Sequence, residues 1–361
     1  MIFESIVKIA RKPNDNFNLD TEKLLFNRNN SIRTTLLLDT NLLLGIANYM
    51  GGARDPRDNE ALAKYNLTEL VNLCMFCQTN FVPYALSPGF CIPEVAPNNF
   101  EKVRTRYDEF FVLHNIQLYD DIESQSATPI LETQNILSLP ADEIKFRALP
   151  FLYICCMLLV NVTEKNKSPA EKFTQFMNLI VEYVGYFSEK ELLVAKIVIG
   201  DISNRSANLF DKDELDLIKN IENNFSKTKK RKNPETVADL IKIAFNGAND
   251  FSMINAAVAT DNGLLSGERN DSWLMTNDLK LINYLSKLFG YAALIPGQNG
   301  MIAELNLSRG FKVALLEYDV ELLMRKIDTQ KHRQLIRFDS DLWVIRVREM
   351  LNLLGNILPK Q

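Results

Sequence analysis

The chain has 361 residues, 47% hydrophobic and 24% charged, with 41 Lys and Arg against 45 Asp and Glu for a net charge of −4. That length allows two or three domains of about 100–200 residues, and the slightly acidic balance excludes binding of nucleic acid through an overall basic field. Five cysteines without framework spacing exclude a disulfide scaffold and point to a reducing, cytoplasmic compartment.

In chain order, Met1 to Lys12 carries Glu4 and Lys8 inside its apolar part, unlike a secretory leader. With the Asn-rich stretch up to residue 30 it reads as a lead-in packed on a domain surface. Thr34 to Leu38 is then an apolar run that ends abruptly on Asp39. Such a run reads as a buried strand of a parallel sheet, and a helix-compatible segment, Leu42 to Tyr49, follows at once. Ligands of open α/β sheets gather at the carboxyl ends of strands, which places Asp39 where chemistry belongs. Its ordinary structural role would be to cap the next helix.

Residues 59–79 have helical periodicity, and Cys74-Met75-Phe76-Cys77 lies within them. A structural zinc site needs four ligands. No second such motif exists, and His114 and His332 lack metal-type spacing, so these are read as buried cysteines on a helix. Asn80 to Leu86 is a second short strand, whose Pro83 marks an edge or an irregularity. Glu94 follows among Pro88, Gly89 and Pro93, and 98–112 is helical. A polar stretch, 117–139, reads as a surface loop.

Four helices are then expected at 140–164, 168–186, 188–206 and 211–226, with Ser188 and Glu191 spaced for a capping box. Leu149 to Val162 is apolar but too short to span a bilayer, so it reads as a buried helix and no membrane partner is expected. Next comes a basic linker containing Lys229, Lys230, Arg231 and Lys232. Such a run is a solvated loop, a phosphate-backbone contact or a localisation signal.

A helix from Pro234 should end before Gly247. A further helix carries Asp250 in its opening turn and Ile254, Ala257 and Val258 on its apolar face. Trp273 to Met275 is a strand ending in Thr276-Asn277-Asp278, followed by a helix over 277–289 and a last strand over 291–295. The remainder suggests a hairpin (302–318) and helices at 318–331 and 339–357.

The order strand-Asp39, helix-Asp250, strand-Thr276-x-Asp278 resembles the acidic motifs of PIN-domain nucleases. The resemblance covers roughly residues 30–100 and 234–297. It implies an α/β fold with a doubly wound parallel sheet of four or five strands and a carboxylate cluster at the strand ends. It also implies cleavage of RNA with a divalent metal. Three hard oxygen ligands suit Mg²⁺ or Mn²⁺ better than Zn²⁺. Asp39, Asp250 and Asp278 would hold the metal, and Glu94 occupies the place of the family's fourth acid, in a segment unlike a regular helix. Asn41 and Thr276 would orient a carboxylate or a metal-bound water.

The domain reading is 1–112 and 234–297 for the two parts of the PIN-like domain, 113–233 for a helical insertion with the basic linker, and 298–361 for a C-terminal extension. The functional expectation is a metal-dependent endoribonuclease acting on single-stranded RNA, with an inhibitory or complex-forming protein as a further partner. The alternative is a catalytically degenerate module that binds RNA or protein. A P-loop NTPase is excluded because GxxxxGK[ST] is absent, and Asn41 argues against an aspartyl-phosphate phosphatase.

Overall fold

A computed structural model describes the chain except residues 10–14, 53–58, 89–94, 96, 118–135, 187, 229–231, 262–269, 295–300, 306, 316–339 and 359–361. The elements run β1 (Ile2–Val7), β2 (Asn18–Asp20), α1 (Thr21–Asn29), β3 (Arg33–Leu38), α2 (Thr40–Gly52), α3 (Asn59–Lys64), α4 (Thr68–Thr79), β4 (Tyr84–Ser87) and α5 (Pro97–Leu113). A helical series follows: α6 (Ala141–Thr163), α7 (Pro169–Leu179), α8 (Glu189–Gly200), α9 (Ile202–Arg205), α10 (Lys212–Ser226) and α11 (Val237–Asp261). Then come β5 (Asn270–Met275), α12 (Leu279–Leu288), β6 (Phe289–Leu294), β7 (Met301–Leu305), α13 (Arg309–Ala314) and α14 (Ser340–Ile357).

These elements form two compact units. The first is Met1–Thr133 with Met253–Glu304, and the second is Gln134–Ser252 with Leu305–Gln361. The division differs from the one read in the sequence. The helical unit extends to Ser252, so the boundary falls inside α11, and the chain beyond Leu305 belongs to it. The reason is packing: α14 lies against α6 and buries Trp343, Val347, Met350 and Leu354.

The first unit is α/β, but its five-stranded sheet is mixed rather than parallel. Strand order is β2-β1-β5-β3-β4. β3 pairs in parallel with both β5 and β4, whereas β1 runs antiparallel to β2 and β5. The amino-terminal segment is therefore a strand inside the sheet, not a surface lead-in. Phe3, Ile6 and Val7 are its buried residues, and an irregularity between Phe3 and Val7 blurs the alternation that would have marked it as a strand. β4 is an edge strand, consistent with Pro83 just before it. β6 pairs with β7 in a separate two-stranded sheet, so it does not extend the main one. α13 stands where the second half of a hairpin was expected.

Leu36, Leu38, Trp273 and Met275 lie in one core with Leu42, Ile46 and Tyr49 of α2 and Tyr107 and Phe110 of α5. Cys74 and Cys77 are buried in this core as well. Burial pushes both thiols up, Cys77 to about 12, so neither offers a thiolate near neutral pH.

In the helical unit, capping boxes form at Ser168 with Glu171 and at Asp211 with Glu214. The box expected at Ser188 does not close: no helix N–H bonds its side chain, and the Ser188 hydroxyl donates to the Glu191 carboxylate instead. Over Glu143–Thr163, α6 is long and apolar enough to cross a membrane, longer than the apolar run taken from the sequence. Most of that stretch is buried within the protein.

Gly247 does not stop a helix. α11 continues through it because the glycine allows close packing: a Cβ there would stand 2.7 Å from Ile154 Cδ1 and 2.8 Å from Phe225 Cδ1. Helix propensity alone predicts that Gly247→Ala stabilises by about 1 kcal/mol. The packing predicts a net loss of about 1–3 kcal/mol, read as a lowered denaturant midpoint with unchanged slope.

Candidate functional site

The pairing of β3 with β5 sets the site's geometry. Leu38 stands opposite Met275, so both parallel strands end at one level, and the next residues, Asp39 and Thr276, emerge side by side. The Asp39 N–H donates to the Met275 carbonyl (3.1 Å), and its own carbonyl accepts from Leu42 N–H (3.0 Å) as α2 begins. Asp39 is thus held by the sheet on one side and the helix on the other.

Asp39 is 6% exposed. Oδ2 accepts from the Thr276 hydroxyl (2.7 Å) and the Asn41 amide (3.3 Å). Thr276 Oγ1 in turn accepts the N–H of Asp278 at 3.0 Å, so one fully buried hydroxyl joins the two acids. Thr276 is itself positioned by β1, since its N–H donates to the Ser5 carbonyl (3.0 Å), and the Ser5 N–H is anchored on Glu69 Oε2 at 2.8 Å. Burial pushes the Asp39 carboxyl above its ordinary pKa. The negative charge of Asp278 adds to this, while the bonds from Thr276, Thr40 and Asn41 oppose it.

Asp278 Oδ1 accepts from the N–H groups of Lys280 (2.8 Å) and Leu281 (3.3 Å), capping α12. Among the described residues its other oxygen accepts no hydrogen bond. Asp39, Asn41, Thr276 and Asp278 therefore come together in the first unit. Asp250 lies in the helical unit, half-buried in mid-helix rather than in a first turn. Its helix starts earlier than expected because Gly247 does not interrupt it. Glu94, Lys229, Lys230 and Arg231 lie outside the described residues. Lys232 is exposed, and its N–H donates to Thr228 Oγ1. Among the described residues, no group of three or more His, Cys, Asp or Glu side chains is placed to hold a metal ion.

A second polar centre was missed in the sequence. Lys8, just past β1, is 4% exposed. Its ammonium donates to Asp261 Oδ2 (2.6 Å), Asp271 Oδ1 (2.7 Å) and the Ser272 carbonyl (2.9 Å), which uses all three protons. Asp271 Oδ2 also accepts from the Asn27 amide (2.7 Å) and Trp273 Nε1 (3.0 Å). Asp261 Oδ1 accepts from the N–H and hydroxyl of Ser272, each at 2.5 Å.

Burial opposes the charged form of all three groups. Asp261 and Asp271 outweigh it for Lys8, whose pKa rises above the usual lysine value. Lys8 and Lys23 outweigh it for Asp271, whose pKa falls. For Asp261 burial prevails over Lys8, and its pKa rises. The available signal was a lone lysine inside Ile6-Val7-Lys8-Ile9, since a charge in an apolar strand needs a buried counter-charge.

Comparison of the chain with known protein families, with curated proteins and with solved structures finds no match.

Lys8→Met should cost about 3–5 kcal/mol, because it leaves two carboxylates buried against an apolar chain. Adding Asp261→Asn and Asp271→Asn should recover part of that loss in urea denaturation. For Asp271, the folded pKa lies below the unfolded one. Its contribution is therefore fully present above the ordinary aspartate pKa and is lost as pH falls through the lowered value. The stability gap between the native chain and Asp271→Asn should be full at neutral pH and shrink in strong acid.

Proposed function

We propose that the chain is a PIN-like, Mg²⁺- or Mn²⁺-dependent endoribonuclease that hydrolyses phosphodiester bonds of single-stranded RNA, with Asp39 and Asp278 as its metal-holding pair. The observation that supports this reading best is the hydroxyl of Thr276, which donates to Asp39 and accepts from the Asp278 N–H. It couples two carboxylates at the carboxyl ends of adjacent parallel strands, where α/β sheets place ligands. Asp39 is buried and Asp278 half-buried, so their like charges repel in a partly desolvated site, and a hard cation relieves that repulsion. Asp278 keeps one oxygen unengaged by described protein groups, and Asp39 is fixed in one orientation by Thr276 and Asn41, so the pair suits an oxygen-binding metal.

Bound Mg²⁺ or Mn²⁺ supplies Lewis acidity and an acidified water for in-line displacement at phosphorus. The protein's part is orientation. Thr276 and Asn41 limit rotation of the Asp39 carboxylate, α12 restrains Asp278 through its capping bonds, and Ser5 and Glu69 hold the strand end from β1.

A second reading, a non-catalytic RNA- or protein-binding module, draws support from the ordinary structural roles of both acids. Asp278 caps a helix and Asp39 joins a strand to one.

Labelled single-stranded RNA incubated with Mg²⁺ or Mn²⁺ should be cut by the native chain. Asp39→Asn and Asp278→Asn should each lower the rate by about two orders of magnitude or more, and a chelator should abolish it. Cleavage that persists in both variants would sink this assignment. Asp250→Asn and Glu94→Gln, assayed alongside, test the remaining acids that the resemblance implies. If the native chain neither cleaves RNA nor binds Mn²⁺ in calorimetry, the binding-module reading stands.

A further inference from the structure

The Lys8 centre forms part of the wall of a cavity of about 230 Å³, lined by Lys8, Asp15, Asn16, Lys23, Phe26 and Trp273. We propose that this cavity is a nucleotide subsite that takes one base of a single-stranded chain. The inference rests on the nucleic-acid reading above and names a contact remote from the acids. Asp271, which pairs with Lys8 of the wall, and Met275, whose carbonyl accepts the Asp39 N–H, are four residues apart along β5, about 13 Å at strand rise.

Size and polarity carry the assignment. The cavity is smaller than the roughly 300–1,000 Å³ typical of drug-sized ligands and suits a single flat ring system with part of its sugar. Because the Lys8 ammonium has all three protons engaged, what this residue offers a ligand is its aliphatic stem. With Trp273, only 1% exposed, that stem makes an apolar wall.

Phe26 is 53% exposed, an aromatic face on which a base can stack. Lys23 Nζ sits 5.1 Å from the Phe26 ring centroid and 3.6 Å from Asp271 Oδ2. Lys23 meets Asp271 only at 3.6 Å, beyond hydrogen-bond distance, and its side chain is 30% exposed, so the same ammonium can also face a phosphate. Asp15 and the exposed Asn16 bring an acceptor and an amide to the same cavity, matching the mixed donors and acceptors of a base edge. An aromatic side chain would fill the same volume; the charged and polar groups that line it, Lys23, Asp15 and Asn16, favour a base with its phosphate.

Calorimetric titration of the full chain with each nucleoside 5′-monophosphate, in chelator so that the acidic site holds no metal, should show saturable binding of at least one of them. Phe26→Ala and Lys23→Gln should each weaken it at least about fivefold, the lower end expected for a lost stacking partner. Phe26→Tyr should retain it, and so should Asp39→Asn. Phe26 is exposed and Lys23 partly so, and unchanged denaturant midpoints will show that these variants still fold.

Absence of binding by the native chain would overturn the proposal. So would native affinity in Phe26→Ala and Lys23→Gln, or loss of binding in Asp39→Asn. Equal affinity for the amides of phenylalanine and tryptophan would overturn it in favour of an aromatic peptide. Failure of the nuclease reading shows instead as no metal-dependent cleavage, with nucleotide binding intact.

Discussion

The register between β3 and β5 is the constraint on which the first unit depends. The two strands pair in parallel from Arg33 opposite Asn270 to Leu38 opposite Met275. A slip of one residue would turn Leu36 and Leu38 out of the core and reverse every side chain on the strand. With the register as it is, apolar burial on both faces holds the sheet, and Asp39 and Thr276 leave it at the same level. The acidic pair therefore follows from core packing rather than from any attraction between its members, which repel.

Two polar centres bracket β5. At its carboxyl end, Asp39 and Asp278 are like charges bridged by a neutral hydroxyl, with burial pushing Asp39 toward its protonated form. At its amino end, Asp271 meets the Lys8 ammonium and is held ionised. The second arrangement sets Lys8 and Lys23 against Asp261 and Asp271, as a buried charge requires. The first leaves negative charge uncompensated by any described side chain, the feature on which the proposed metal site rests. β1 serves both ends: Lys8 fills the compensated centre, while the Ser5 carbonyl positions Thr276.

The helical unit relies on different physics. Its α6 is apolar nearly all round, from Phe151 to Val160, so other helices must cover it on several sides, and α14 is one of them. Arg147, fully buried on the same helix, is satisfied by Asn249 Oδ1 (2.7 Å) and Glu143 (3.0 Å). Close approach at Gly247 completes the packing around α11.

Local pattern was enough to determine the strand of Leu36 to Leu38, the helices after it, the strand ending in Thr276-Asn277-Asp278 and most of the helical series. In each, burial or periodicity repeats within a few residues and leaves a readable signature. The proximity of Asp39, Asn41 and Thr276 was also legible, because strand ends of one parallel sheet converge. Tertiary structure alone decided the rest. β1 joins the sheet through a bulged register that hides its alternation, and it runs antiparallel, which no local feature of Ile2 to Val7 encodes. Gly247 reads as a helix stop until Ile154 and Phe225 are seen against it. Lys8, Asp261 and Asp271 are separated by more than 250 residues at the widest, and charges that far apart pair only once the fold has removed them from water.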